Sequence, residues 1–205
     1  MKISVTIPQI FYDLIARVVP GFLFLLMLNF ELSGTGIEVI QLAASSNNSM
    51  ALLLNALVYA VLSYLMGWIL LAFTFWSVGN RIRDEHESRL SENSPSMWKM
   101  YHSLRIKDEA VGFRIVKLRA EARMLETSRT GMVYIFVISL GLLLLSKLGL
   151  FPSFSQSSLA WGAKLCIPII LAVAFRRCER RMWKNYYRNI PENYEILFET
   201  KVRNK

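Results

Sequence analysis

The sequence predicts an all-α membrane protein. Four transmembrane helices, both termini cytoplasmic, are joined by a helical cytoplasmic extension between spans 2 and 3 and end in a helical, basic C-terminal tail. Three observations carry this expectation. Ala51 to Val78 is a run of twenty-eight residues without a charge, about 42 Å of helix and longer than the roughly 30 Å hydrocarbon core. The composition, 54% hydrophobic over 205 residues with a mean hydropathy of +0.35, is too apolar for a soluble domain of this size. Basic residues also crowd two segments, eleven within 79–129 and nine within 176–205, while the opposite loops and their flanks hold only Lys147 and Lys164. The positive-inside rule then places both termini and the long polar segment in the cytoplasm. Topology is thus the first explanation of the net charge of +9.

The chain divides into residues 1–78, 79–129, 130–175 and 176–205. Residues 3–7 alternate like a short strand or arm, and Pro8 suits the first turn of a helix running to about Val19. Met1 is taken as the mature start, because no cleavable signal is convincing. Phe11, Leu14, Ile15 and Val18 share one side of that helix, and Asp13 and Arg17, four apart, share another and can pair. Pro20-Gly21 is expected to bend the chain where it becomes continuously apolar. The apolar run from Val18 to Phe30 is only thirteen residues, so the amphipathic helix must supply part of the first span or lie in the interface. Asp13, Arg17, Pro20 and Gly21 are therefore a candidate gate or hinge, with an interfacial anchor as the plainer reading. A polar loop follows to about Ser49, with Glu31 and Glu38 and no basic residue.

Span 2 is Ala51 to Val78, and the helix is expected to continue from Arg81 to Leu90. Asn55, Tyr59, Ser63 and Gly67 recur every four residues along it. Small, weakly polar residues at that spacing either pack helices closely or line a watery path. Trp68 and Trp76 are candidate interfacial anchors. Ser91 to Ser96 is a breaker. From Met97 to Arg129 the pattern is helical, with Leu104, Val111, Ile115, Leu118, Ala122 and Leu125 in a near-heptad register gapped at Asp108. That stripe wants a partner helix, in this chain or another.

Span 3 is Thr130 to Leu145, closed by Lys147 and the turn from Gly149 to Pro152. Span 4 is Leu159 to Phe175, carrying Lys164 and Pro168. Lys164 either snorkels to the outer interface or, as a ring in an oligomer, favours anion passage. Arg176, Arg177, Arg180 and Arg181 follow at once, then Trp183, Lys184, Tyr186, Tyr187 and Arg188. Arginines interleaved with aromatics suit phosphates and stacked bases, or anionic lipid head groups. A last amphipathic helix is expected from Pro191, presenting Tyr194, Leu197 and Phe198.

Little in the chain suits catalysis. Asp84-Glu85-His86-Glu87 is the nearest approach to a metal or acid–base cluster, but consecutive helical residues point apart and only Asp84 and Glu87 share a face. Cys166 and Cys178 stand twelve apart on one helix, roughly 18 Å and too far to bridge within the chain. No nucleophile motif or phosphate loop occurs, so the chain is read as a non-enzyme without a cofactor.

The layout, together with the opening Asp13-Leu14-Ile15-Ala16-Arg17-Val18-Val19-Pro20-Gly21, resembles the small membrane effectors of bacterial anti-phage defence operons, the Hailong membrane channel effectors in particular. The resemblance implies a homo-oligomeric channel of the bacterial cytoplasmic membrane, taken as a tetramer. It would be gated on the cytoplasmic side by an oligonucleotide or nucleotide from a partner nucleotidyltransferase system. No binding residue is carried over by motif. The alternative is a membrane-anchored scaffold or accessory subunit recruiting a cytoplasmic protein.

Overall fold

A computed structural model describes residues 6–32, 49–74, 77–90, 94–148 and 158–199, and every regular element among them is a helix. In order these are α1 (Thr6–Leu32), α2 (Ser49–Ala72), α3 (Val78–Glu87), α4 (Met97–Lys107), α5 (Glu109–Lys147) and α6 (Ser158–Tyr194), followed by a π-helical turn at Glu195–Glu199. Among the described residues, three helices are long and apolar enough to cross a membrane: Ile10–Leu32, Leu53–Ala72 and Glu109–Lys147. The expected loop 33–48, the centre of the breaker at 91–93, the turn and loop 149–157 and the tail end 200–205 lie outside the described residues.

The helices form two compact units. One gathers Arg17–Thr74 and Met124–Arg176; the other gathers Met1–Ala16, Phe75–Arg123 and Arg177–Lys205.

The first unit is held by the crossing of α1 and α2. A Cβ added at Gly21 would stand 1.7 Å from the Ser63 carbonyl oxygen, and one at Gly67 would stand 2.0 Å from that of Arg17. The two backbones touch, which only residues without a side chain allow. Phe24, Met27, Leu70, Met132 and Ile135 form the core beside this crossing. The other side of α2 presents Leu54, Leu57, Val61, Leu65 and Ile69 outward, an apolar face that a water-soluble surface does not tolerate at this extent.

The second unit has an aromatic core. Trp183, Tyr186, Tyr187 and Ile190 of α6 pack with Ile82 of α3, Met100, Tyr101 and Leu104 of α4, and Ile115 and Ala122 of α5. The near-heptad stripe from Leu104 to Ala122 thus finds its partners within this unit.

Several boundaries correct the sequence expectations. Thr6 and Ile7 belong to α1 and not to a strand, and α1 runs through Pro20 without ending; a proline within an apolar helix is tolerated there. Span 2 stops at Ala72, with the Thr74 hydroxyl donating to the Leu70 carbonyl at 2.9 Å. Residues 78–87 form a separate helix behind an extended Ser77. The gap at Asp108 is a break in the helix, separating α4 from α5. Asp108 is extended, and its Oδ1 accepts from the Ala110 and Val111 amides at 2.9 and 3.1 Å, the arrangement of an aspartate N-cap. Pro191 starts no new helix, because α6 passes through it to Tyr194.

Gly67→Ala and Gly21→Ala are expected to cost about 1–3 kcal/mol each, the range for overpacking a close contact. Gly141→Ala and Gly162→Ala, where an added Cβ meets nothing within 4 Å, are expected to be neutral. Thermal unfolding of the four variants in detergent micelles checks the contrast.

Candidate functional sites: the α1–α2 clamp, a buried charge pair and a basic helix face

The expected gate on α1 is a clamp. Arg17 Nη1 donates to the Tyr64 hydroxyl at 3.1 Å, and the guanidinium lies 4.2 Å from the centre of the Trp68 ring. Both partners are on α2, one and five residues beyond Ser63, so the cation sits at the glycine crossing. A contact of this kind contributes about 0.5–2 kcal/mol. The four-apart pairing of Asp13 with Arg17 does not form among the described residues; Asp13 is exposed, and Arg17 turns to the aromatics. Pro20 and Gly21 are buried in the same helix.

Of the i+4 stripe on α2, Ser63 and Gly67 are buried against α1, while Asn55 and Tyr59 are half-buried. For Ser63 and Gly67 the geometry is that of close helix packing.

Lys164 departs furthest from expectation. It does not snorkel: it is buried, and its Nζ donates to the Glu31 backbone carbonyl at 2.7 Å. The rings of Phe30 and Trp161 flank it, with centres 5.9 and 5.7 Å from Nζ. Glu31 itself is wholly buried, and among the described residues neither carboxylate oxygen has a hydrogen-bond partner of good geometry. The Ser139 hydroxyl of α5 neighbours the carboxylate but donates to the Ile135 carbonyl at 2.8 Å. Sequence reasoning assigned Glu31 to the start of a polar loop. The available signal was an acidic residue abutting one apolar helix and a lysine inside another, since ionisable groups at such positions pair inward.

The tail of α6 separates its residue types onto opposite faces. Arg176, Arg177, Arg180, Arg181, Lys184 and Arg188 are exposed, whereas Trp183 and Tyr187 are buried with Tyr186. Positions 177, 181, 184 and 188 run along one side at helical spacing, and 179, 183, 186 and 190 along the other. Trp183 stacks on Tyr187 at 5.6 Å and 21°, and Tyr186 meets Tyr187 edge-on at 4.9 Å. These rings are committed to the core, so the expectation that Trp183 and Tyr187 meet a ligand is corrected. The cations remain available.

The acidic cluster on α3 is a solvated face: Asp84 pairs with Arg83 at 3.2 Å and Glu85 with Arg89 at 2.8 Å, all exposed. His86 turns from it to stack on Tyr187, 6.2 Å between centres. Burial, then the neighbouring Arg89 charge, lowers the His86 pKa, while burial raises the Tyr187 hydroxyl.

Burial pushes the Tyr186 hydroxyl up to about 12. The unfolded chain ionises this group near its ordinary value of about 10. Its contribution is therefore complete below about pH 10 and is lost as the pH rises towards 12, by about 2–3 kcal/mol at most. Thermal unfolding across that alkaline window is expected to show the decline in the native chain and a shallower one in Tyr186→Phe. No family model, curated protein or solved structure matches this chain.

Proposed function

We propose that the chain is a homo-oligomeric channel of the bacterial cytoplasmic membrane, gated by an anionic ligand at its cytoplasmic face. In this reading the first half of α6 is a fourth span, both termini are cytoplasmic, and the biological setting is anti-phage defence with a nucleotidyltransferase partner. The observation that carries it is the α6 tail: six exposed cations, four of which (Arg177, Arg181, Lys184 and Arg188) line the side of the helix turned away from the core. A surface of this form suits phosphates through charge-assisted hydrogen bonds, without base stacking. Four spans in one chain enclose little space, so a conducting path requires several copies, with a tetramer as the working number. The clamp at Arg17, Gly21 and Gly67 keeps α1 and α2 together as one rigid wall.

A second reading, a membrane-anchored scaffold, is favoured by α4, where Trp98 is 69% and Ile106 86% exposed. It requires a stable complex with a cytoplasmic protein and no conductance.

Reversal of Arg177, Arg180 and Arg181 to Glu is expected to weaken binding of a short single-stranded oligonucleotide at least about tenfold, and native binding is expected to fall as salt rises. Currents across planar bilayers containing the purified chain are expected to change on adding the oligonucleotide. A chain that passes no current with or without it, while co-purifying with one cytoplasmic protein, overturns the channel in favour of the scaffold. Charge reversal that lowers the amount of anionic lipid retained by the detergent-solubilised chain but leaves oligonucleotide binding intact assigns the basic face to lipid.

A further inference from the structure

We propose that Glu31 is a proton-binding site within the apolar half of the protein, with Lys164 as its tethered counter-charge. The inference rests on the membrane reading of α1, α5 and α6 and not on the channel reading.

Glu31 is fully buried, on the last turn but for Leu32 of a helix apolar enough to cross a membrane. Among the described residues neither carboxylate oxygen has a hydrogen-bond partner of good geometry, and the one hydroxyl beside them, that of Ser139, is shared with the Ile135 carbonyl. Buried carboxylates in proteins are ordinarily satisfied by two or three donors, so two open oxygens in one side chain require an explanation. Nor does packing alone supply a reason for a carboxylate here, since a leucine would fill the position without the desolvation that a charge suffers.

The surroundings select the occupant. Among the described residues, the groups acting on the carboxylate are the Lys164 ammonium from α6 and the Ser139 hydroxyl from α5. The ammonium is engaged with the Glu31 backbone carbonyl, and the hydroxyl proton is directed to Ile135. A metal ion needs several oxygen ligands and an excess of negative charge. Here one carboxylate is already opposed by one ammonium, and no group of three metal-ligating side chains occurs among the described residues. A proton needs a single lone pair. It adds to one carboxylate oxygen, converts the anion to a neutral acid and gives that acid an O–H to donate.

The consequence falls on Lys164. With Glu31 ionised the pair is neutral; with Glu31 protonated the ammonium keeps its charge among Phe30, Trp161 and the apolar core and loses the Glu31 carboxylate as its counter-charge. A buried cation is held less firmly once a counter-charge is lost. Binding of one proton at Glu31 is thereby coupled to the contact between the end of α1 and α6. Glu31 lies one residue from the end of its helix.

The test uses an apolar carbodiimide, which partitions into membranes and adds to protonated carboxyl groups. The full chain in lipid vesicles is labelled over a range of pH, and the adducts are assigned by peptide mass spectrometry. Glu31 is expected to be the labelled carboxyl, with a rate that climbs as the buffer is acidified, and Glu31→Gln is expected to lose the adduct. In Lys164→Met the labelling of Glu31 at neutral pH is expected to rise about tenfold, the factor that accompanies a change of one pH unit in a titration. A Glu31 that stays unlabelled at every pH, or is labelled at one rate throughout, overturns the proposal, as does a Lys164→Met profile identical to the native one. The native chain alone supplies the first result, so failure of a variant to fold leaves the proposal falsifiable. No current is measured, so failure of the channel leaves the result standing.

Discussion

The contact on which the apolar unit depends is the place where α1 and α2 bring their backbones together. In hydrocarbon there is little gain from hiding one apolar side chain against another, because lipid tails are as apolar as leucine. Helices associate there through close van der Waals packing, and this requires removing the side chains that hold backbones apart. Gly21 and Gly67 do so from opposite helices, each meeting a carbonyl of the other. Arg17 then secures the crossing from its flank, with a hydrogen bond to Tyr64 and its flat guanidinium over Trp68. Core side chains such as Phe24, Leu70 and Met132 take their places around an axis pair that is already set.

The charged half of the chain solves a different problem by the ordinary means of a water-soluble protein. Its helices divide into a wet face and a dry one, clearest in α6, where Arg177, Arg181, Lys184 and Arg188 stand on the side away from Trp183, Tyr186 and Ile190. Burying three aromatic side chains and an isoleucine contributes on the order of 2 kcal/mol each. That gain holds the helix in one rotation, and the rotation in turn keeps the cations together on the outside. The far end is fastened as well: the Lys107 ammonium lies over the Phe198 ring and donates to the Leu197 carbonyl. The basic surface is thus a by-product of a rigid core, which makes it a preformed one.

Much of this was legible in the residues. The all-helical class, the apolar character of Ile10–Leu32, Leu53–Ala72 and the later part of α5, and the α4–α5 stripe follow from composition and period. What stayed hidden depends on distance in space. Arg17 faces an aspartate at helical spacing, but Tyr64 and Trp68, some fifty residues away in the chain, offer a drier and aromatic site. Glu31 reads as the polar end of a span because nothing local announces Lys164, which is 133 residues distant. Trp183 and Tyr187 look like ligand-stacking rings beside arginines, yet a helix distributes neighbours to opposite faces. Asp108 looked like a fault in a heptad because an aspartate that caps a helix also interrupts its hydrophobic rhythm. Periodicity reports which face is apolar; it does not report what covers that face.

The way the charged unit is pieced together also bears on its biosynthesis. Its three segments come from the beginning, middle and end of the chain. Leu104 and Ile115 leave the ribosome long before Trp183, Tyr186 and Ile190, the side chains that cover them. At ordinary rates of translation that interval is on the order of ten seconds. During it the middle helices show an uncovered apolar stripe, and the apolar later part of α5 emerges before the cover arrives. The last forty residues are therefore a folding checkpoint. A chain cut short before them would present an exposed hydrophobic seam to the chaperones and proteases of the cell.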